Sequence, residues 1–294
     1  METTVPVWIW LAPTLMSLFL YGIAQGLVKK YSSEVSPALF CLYFVVAKAA
    51  VNIGYYMTQE HTPFVSAESQ SFLIYGILAY VLDGAAWILY FESIVAGPIT
   101  IVGTLSAAYP ALTVLFAHFA LGESLNTIQY GAVFLVILGC IGLSYDPSAS
   151  DKKEIKKRWI PLAATALVTW GISQTIIKYA YSLPGANEAN MALFNTVGGF
   201  LTLGMYGMLK GLKDRKGFKE FAHSFGPMAV MAGGDLGAII GYAKGPASIV
   251  APVSGAYPLV TLVFAYFYLK EKIRFHQIGL VLLILIGIIF TTYT

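Results

Sequence analysis

Residues 97–145 and residues 245–293 are two copies of one segment. Laid over each other with a shift of 148 and no gap, 21 of the 49 positions are identical, more than two unrelated apolar helix pairs reach by composition alone. A second match lies upstream, where Tyr21-Gly22-Ile23-Ala24-Gln25 corresponds to Trp170-Gly171-Ile172-Ser173-Gln174 with a shift of 149. The duplication therefore spans nearly the whole chain, and the chain must fold as two like halves.

The solvent for that fold is a bilayer. Hydrophobic residues make up 57% and charged residues 11%, against about 25% charged in an ordinary soluble domain. Most charges collect between nearly uncharged stretches long enough to cross a hydrocarbon core of roughly 30 Å. Ten such stretches are read, over 6–28, 37–58, 71–94, 98–121, 126–145, 159–181, 189–210, 225–243, 246–268 and 274–293. Their apolar runs are continuous rather than alternating, which predicts helices and not a barrel. The expected organisation is a five-helix repeat over 1–145, a basic linker over 146–158 and a second repeat over 159–294. The first stretch is preceded by Glu2 and no basic segment, and it contains the repeated Gln25, so it reads as a span and not as a cleaved leader. Cys41 and Cys140 both sit inside apolar stretches and suggest neither a disulfide framework nor a metal site.

Fifteen of the 18 basic residues follow odd-numbered spans. They are Lys29 and Lys30, the cluster from Lys152 to Arg158, the cluster from Lys210 to Lys219, and Lys270, Lys272 and Arg274. Positive charge marks the cytoplasmic side, which predicts external termini in a cell membrane. Five helices per repeat is an odd number, so the second copy enters from the opposite face. Inverted repeats are a common architecture of secondary transporters, whose halves rock about a shared midplane site.

Gly-Pro opens the fourth and ninth spans, an AYPxxTxxFA core follows in each, and the cores end at Leu121-Gly122-Glu123 and Leu269-Lys270-Glu271. Gln129 with Gly131 and Gln277 with Gly279 come next. These residues resemble the EamA-type halves of the drug/metabolite transporter superfamily, and the resemblance covers both halves. It implies ten helices in two inverted five-helix repeats, a central cavity, closing helices five and ten away from the substrate path, and transport of small metabolites, often export of amino acids. Many members of the family place both termini in the cytoplasm, whereas the loop charges here predict the reverse.

Charge inside a span is costly and marks candidates for function. Lys48, Asp83 and Asp235 lie near the middle of the second, third and eighth spans, at one depth. Tyr80, Asp83, Trp87 and Tyr90 follow helical spacing and form one polar, aromatic stripe. Lys48 and Asn52 share a face, and Asp235 and Tyr242 are two turns apart. A structural ion pair between Lys48 and Asp83 is one reading. Asp235 then pairs with Lys48 across the halves, stays protonated or binds a ligand. Tyr109-Pro110 and Tyr257-Pro258 are repeat-equivalent, and Pro252 and Thr104 mark further irregularity or polar lining. Proline frees backbone carbonyls and suits a gate, or it only shapes packing. Gln25 and Gln174, beside Tyr21 and Trp170, read as cavity lining or as polar glue between helices. Gly139, Gly142, Gly279 and Gly287 read as close-packing sites, His118 as a packing residue, and Glu92 as solvated.

No P-loop, Rossmann glycine fingerprint, HExxH or GxSxG is present. The reading is a secondary active transporter, not an enzyme, for a small polar or amphipathic metabolite such as an amino acid, a derivative or an organic cation. The expected partners are that small molecule and the lipid bilayer, with no nucleic acid and no cofactor. Coupling to protons or another ion is open, as is the oligomeric state. A channel is the first rival and a membrane-embedded lipid-modifying enzyme the second.

Overall fold

The computed structural model describes residues 6–31, 35–61, 63, 69–96, 108–144, 159–215, 217–268, 270 and 274–291. Thr104, the Gly-Pro pair at 97–98, the linker 146–158 and Glu271 lie outside these. The described residues form twelve helices, α1 (Val7–Tyr31), α2 (Pro37–Thr58), α3 (Gln70–Ala96), α4 (Tyr109–Leu121), α5 (Thr127–Ser144), α6 (Trp159–Ala180), α7 (Glu188–Gly199), α8 (Met205–Gly211), α9 (Phe218–Lys244), α10 (Ala247–Gly255), α11 (Tyr257–Tyr268) and α12 (Phe275–Thr291). A π-helical stretch, Phe200–Gly204, joins α7 to α8 as one rod, and α10 and α11 form another around a break at Ala256. Ten rods result, and the protein is an all-α membrane protein of two inverted five-helix repeats. Six of the rods are long and apolar enough to cross a membrane by length and composition alone. The outer surface carries Phe119, Leu209 and Phe275 more than three-quarters exposed, as a lipid-facing surface requires.

Several repeated residues turn out to set helix ends. Asn126 and Gln129 bond reciprocally at the start of α5: the Gln129 N–H donates to Asn126 Oδ1 at 2.9 Å and the Asn126 N–H to Gln129 Oε1 at 3.0 Å. Gln277 accepts the Arg274 N–H at 2.8 Å at the start of α12. The glutamine that recurs after each core therefore satisfies amides that the first helical turn leaves open. Gly122 ends α4 in the left-handed region at φ 68°, and its counterpart Lys270 adopts φ 59°. Both copies keep the same turn although only one has glycine there.

The inverted halves interlock. A side chain at Gly22 of α1 would strike Val260 of α11, and one at Gly171 of α6 would meet Leu112 of α4 at 2.9 Å. These two contacts are repeat-equivalent, so each half's first helix packs on the other half's fourth span. The closing helices α5 and α12 pack on each other, where Gly287 leaves room for Val136 and Gly139 for Ile284. Gly279 departs from the close-packing expectation, since nothing lies within 4 Å of the place a side chain would take. It sits on an open face of α12.

One boundary and one helix interior also differ from the sequence reading. The eighth span begins at Phe218 rather than near residue 225, because the polar turn ahead of the apolar run is helical and buried on one side. Glu220 is 6% exposed there and accepts the Ser224 hydroxyl at 3.0 Å. The seventh span contains the π stretch, with the Thr202 hydroxyl donating to the Gly198 carbonyl at 2.8 Å. Hydropathy reports neither feature, because both are carried by polar side chains bonding to nearby backbone or carboxylate groups.

Candidate functional site in the midplane cavity

A cavity opens between the halves, with about 580 Å³ of empty space that includes its solvent-open mouth. Asp83, Trp87 and Tyr90 of α3 form one wall, Trp170 and Gln174 of α6 another, and Tyr21, Gln25, Tyr109, Tyr257 and Asp235 complete it. Three repeat-equivalent pairs are among these residues: Tyr21 with Trp170, Gln25 with Gln174, and Tyr109 with Tyr257. Four of the rings form one connected group and two more form a pair. Trp170 lies 5.2 Å from Trp87, 5.5 Å from Tyr90 and 5.9 Å from Tyr109, and Tyr21 lies edge-on to Tyr257 at 6.3 Å.

A smaller chamber of about 270 Å³ shares Tyr21, Asp83, Gln174 and Asp235 with the first and adds Tyr80, Ile177, Asn195, Ile239 and Tyr242. On α3 its residue Tyr80 precedes Asp83, while Trp87 and Tyr90 follow it. The chambers thus lie on opposite sides of the carboxylates along the membrane normal. The larger faces the ends of α1 and α3, where Lys30 donates to the Tyr268 hydroxyl at 3.0 Å and Lys210 pairs with Glu92 at 2.7 Å. Glu92 is a partly exposed ion-pair partner, because the rod of α7 and α8 brings Lys210 beside it. On the opposite face Lys244 pairs with Glu188 at 3.5 Å.

The midplane charges form one cluster. Lys48 Nζ lies 2.8 Å from Asp235 Oδ2 and 3.9 Å from Asp83 Oδ2. Its side chain is 1% exposed, and the carboxylates are 12% and 13% exposed. The ammonium therefore sits behind the carboxylates, over the Phe44 ring at 4.3 Å. Tyr21 donates its hydroxyl to Asp235 Oδ1, and Asn195 Nδ2 donates to Oδ2 at 3.4 Å. Of the sequence readings of Asp235, pairing with Lys48 across the halves is the arrangement found, and it is the shorter of the two contacts. Asn52 reaches the Thr196 hydroxyl at 3.0 Å instead of the charge cluster.

Of the residues singled out from sequence, Asp83, Trp87, Tyr90, Tyr109, Gln174, Asp235 and Tyr257 meet in the larger cavity and Tyr242 in the smaller. Pro110 and Pro258 each stand in the first turn of a helix, α4 and α11, and Pro252 is buried inside α10. Pro110 also packs on Gly255, where a side chain would lie 2.9 Å from its ring. The two Tyr-Pro helix openings therefore abut near the pseudo-two-fold axis. His118 is exposed at the surface, with Nδ1 3.0 Å from the Glu123 carbonyl. Asn195 was missed. An amide within the apolar seventh span, one of two with Asn190, was the available signal, and the Asn195 Oδ1 is buried without a partner among the described residues, as is the Tyr242 hydroxyl.

Glu123, the repeated glutamate after the core, works at a distance from the cavity. Its carboxylate accepts the Ala247 and Ser248 N–H groups, each at 2.9 Å, and the Ser248 hydroxyl at 2.5 Å. It caps α10 of the other half, where a negative charge also favours the helix dipole. Glu123→Ala is expected to lower stability by about 1–3 kcal/mol, the cost of leaving such donors open, and Glu123→Gln by less. Thermal unfolding of the purified variants measures both.

Comparison with known proteins agrees with this fold. A solved crystal structure matches with a TM-score of 0.76 over 96% of this chain and 95% of its own, at 16% sequence identity, so the two chains share a fold. No curated protein matches the sequence. The EamA-like transporter family matches residues 7–145 and 157–293. The chain belongs to that family, and it is a multi-pass membrane transporter of small molecules.

Proposed function

We propose that this protein is a secondary active transporter that moves a small amino-bearing metabolite by alternating access, driven by an ion gradient or by exchange. The observation that carries the reading is the charge cluster at the repeat interface. Lys48 and Asp83 come from one half, Asp235 and Asn195 from the other, and all four meet between two chambers that lie on opposite sides of the membrane midplane. A relative movement of the halves must rearrange these contacts, so a ligand bound to the carboxylates is coupled to the movement. Reconstituted protein is expected to show saturable uptake, accelerated when the same compound is loaded on the far side. Flux that rises linearly without saturation or counterflow would assign the protein to the channels.

The basic loops support external termini in a cell membrane. In a background lacking Cys41 and Cys140, which are buried and form no disulfide, a cysteine at exposed Lys213 is expected to resist impermeant thiol reagents in intact cells. One at exposed Glu60, in the loop after α2, is expected to label. The reverse pattern would invert the orientation and leave the fold as it is.

A further inference from the structure

We propose that the midplane cavity selects a small monovalent ammonium ion and rejects its zwitterionic and anionic relatives, an inference that rests on reading this cavity as the substrate site. Two carboxylates and one ammonium give the Lys48, Asp83 and Asp235 cluster a net charge of −1 when all are ionised. The compensating Lys48 is not part of the cavity wall, whereas both carboxylates line both chambers. A ligand therefore meets the anionic edge of the cluster.

The rest of the wall reinforces this sign. Trp87, Tyr90, Tyr109 and Trp170 present a cage of rings, and ring faces attract ammonium groups and repel carboxylates. Among the described residues the wall contains no lysine, arginine or histidine. Residues 97–107, which precede α4, contain none either. A carboxylate on the ligand would find only neutral amide and phenol donors from Gln25, Gln174 and the tyrosines, beside two like charges in a site shielded from water. An ammonium finds a carboxylate and a ring face together. One uncompensated negative charge matches one positive charge, so a single amine fits better than a polyamine.

The discriminating experiment uses matched pairs that differ by a carboxylate: 3-methylbutylamine with leucine, tyramine with tyrosine, and choline with glycine betaine. Purified full-length protein is titrated with each at neutral pH, and melting temperature and quenching of tryptophan fluorescence are read, since Trp87 and Trp170 face the cavity. At least one amine is expected to raise the melting temperature and to bind about tenfold or more tightly than its carboxylated partner. Asp83→Asn is expected to remove that preference by bringing the cluster to neutrality. Trp87→Leu, which leaves all three charges in place, is expected to weaken the amine alone. Carboxylated partners binding as tightly as the amines would overturn the assignment, and so would a panel in which no amine binds. Counterflow separates this outcome from the broader reading. Saturable exchange of a zwitterion would retain the transporter and reject ammonium selectivity, whereas amine binding without any exchange would do the opposite.

Discussion

Lys48→Met is expected to cost about 3–5 kcal/mol of stability, the penalty for removing one partner of a buried ion pair. The side chain is 1% exposed and serves two carboxylates, at 2.8 Å and 3.9 Å. Methionine keeps the length of the stem, so the loss is one of charge and not of volume. Two carboxylates from opposite halves would then face each other across a dry interface, and the halves would separate or the carboxylates would take up protons. The double variant Lys48→Met/Asp235→Asn is expected to recover a large part of the loss, because the charge that lost its partner is also removed. Melting of the single and double variants in the same detergent measures the coupling. A single variant as stable as the original protein would show that the cluster is not a buried ion network.

Asp235→Asn is expected to slow exchange by about 100-fold, since it removes the charge from two or more charge-assisted hydrogen bonds worth roughly 1.5–3 kcal/mol each. Asparagine preserves the shape and can still accept from Tyr21. Lys48 retains Asp83 nearby, so melting is expected to change less than in Lys48→Met. Asp83→Asn leaves the shorter pair intact and is expected to disturb stability least of the three. Exchange rates and melting temperatures of the variants, measured on the same preparations, separate a role in transport from a role in folding. Exchange at the original rate in Asp235→Asn would remove this residue from the mechanism.

The scaffold of the cavity is duplicated, but its charge is not. Tyr21 and Trp170, Gln25 and Gln174, and Tyr109 and Tyr257 each occupy one place in both copies, and each lines the cavity. Asp235, by contrast, aligns with Trp87 of the first copy at the shift of 148. The two halves therefore provide similar surfaces for the rocking movement while presenting the ligand with chemically different sides. Such asymmetry fixes the orientation of a bound molecule relative to the membrane normal.

The sequence by itself determined the architecture, because duplication, apolar run length and loop charge each act along the chain. The 21 identities fixed the two halves, and an odd number of spans in each fixed their inversion. Buried charges were legible for the same reason, since Lys48, Asp83 and Asp235 stand out in any apolar span and their positions give their depth. Helical spacing also placed Tyr80, Asp83, Trp87 and Tyr90 on one face. Only the tertiary structure decided which helix that face meets. The preference of Lys48 for Asp235 over Asp83 depends on how α2 is rotated against α3 and α9, and no periodicity encodes that angle. The Asn195 contact and the Glu123 cap on α10 likewise join residues that are far apart in the chain, across the interface between the halves. Local pattern specifies what a helix must bury. Packing of the two copies against each other specifies what it is buried against, and the midplane site is made at that contact.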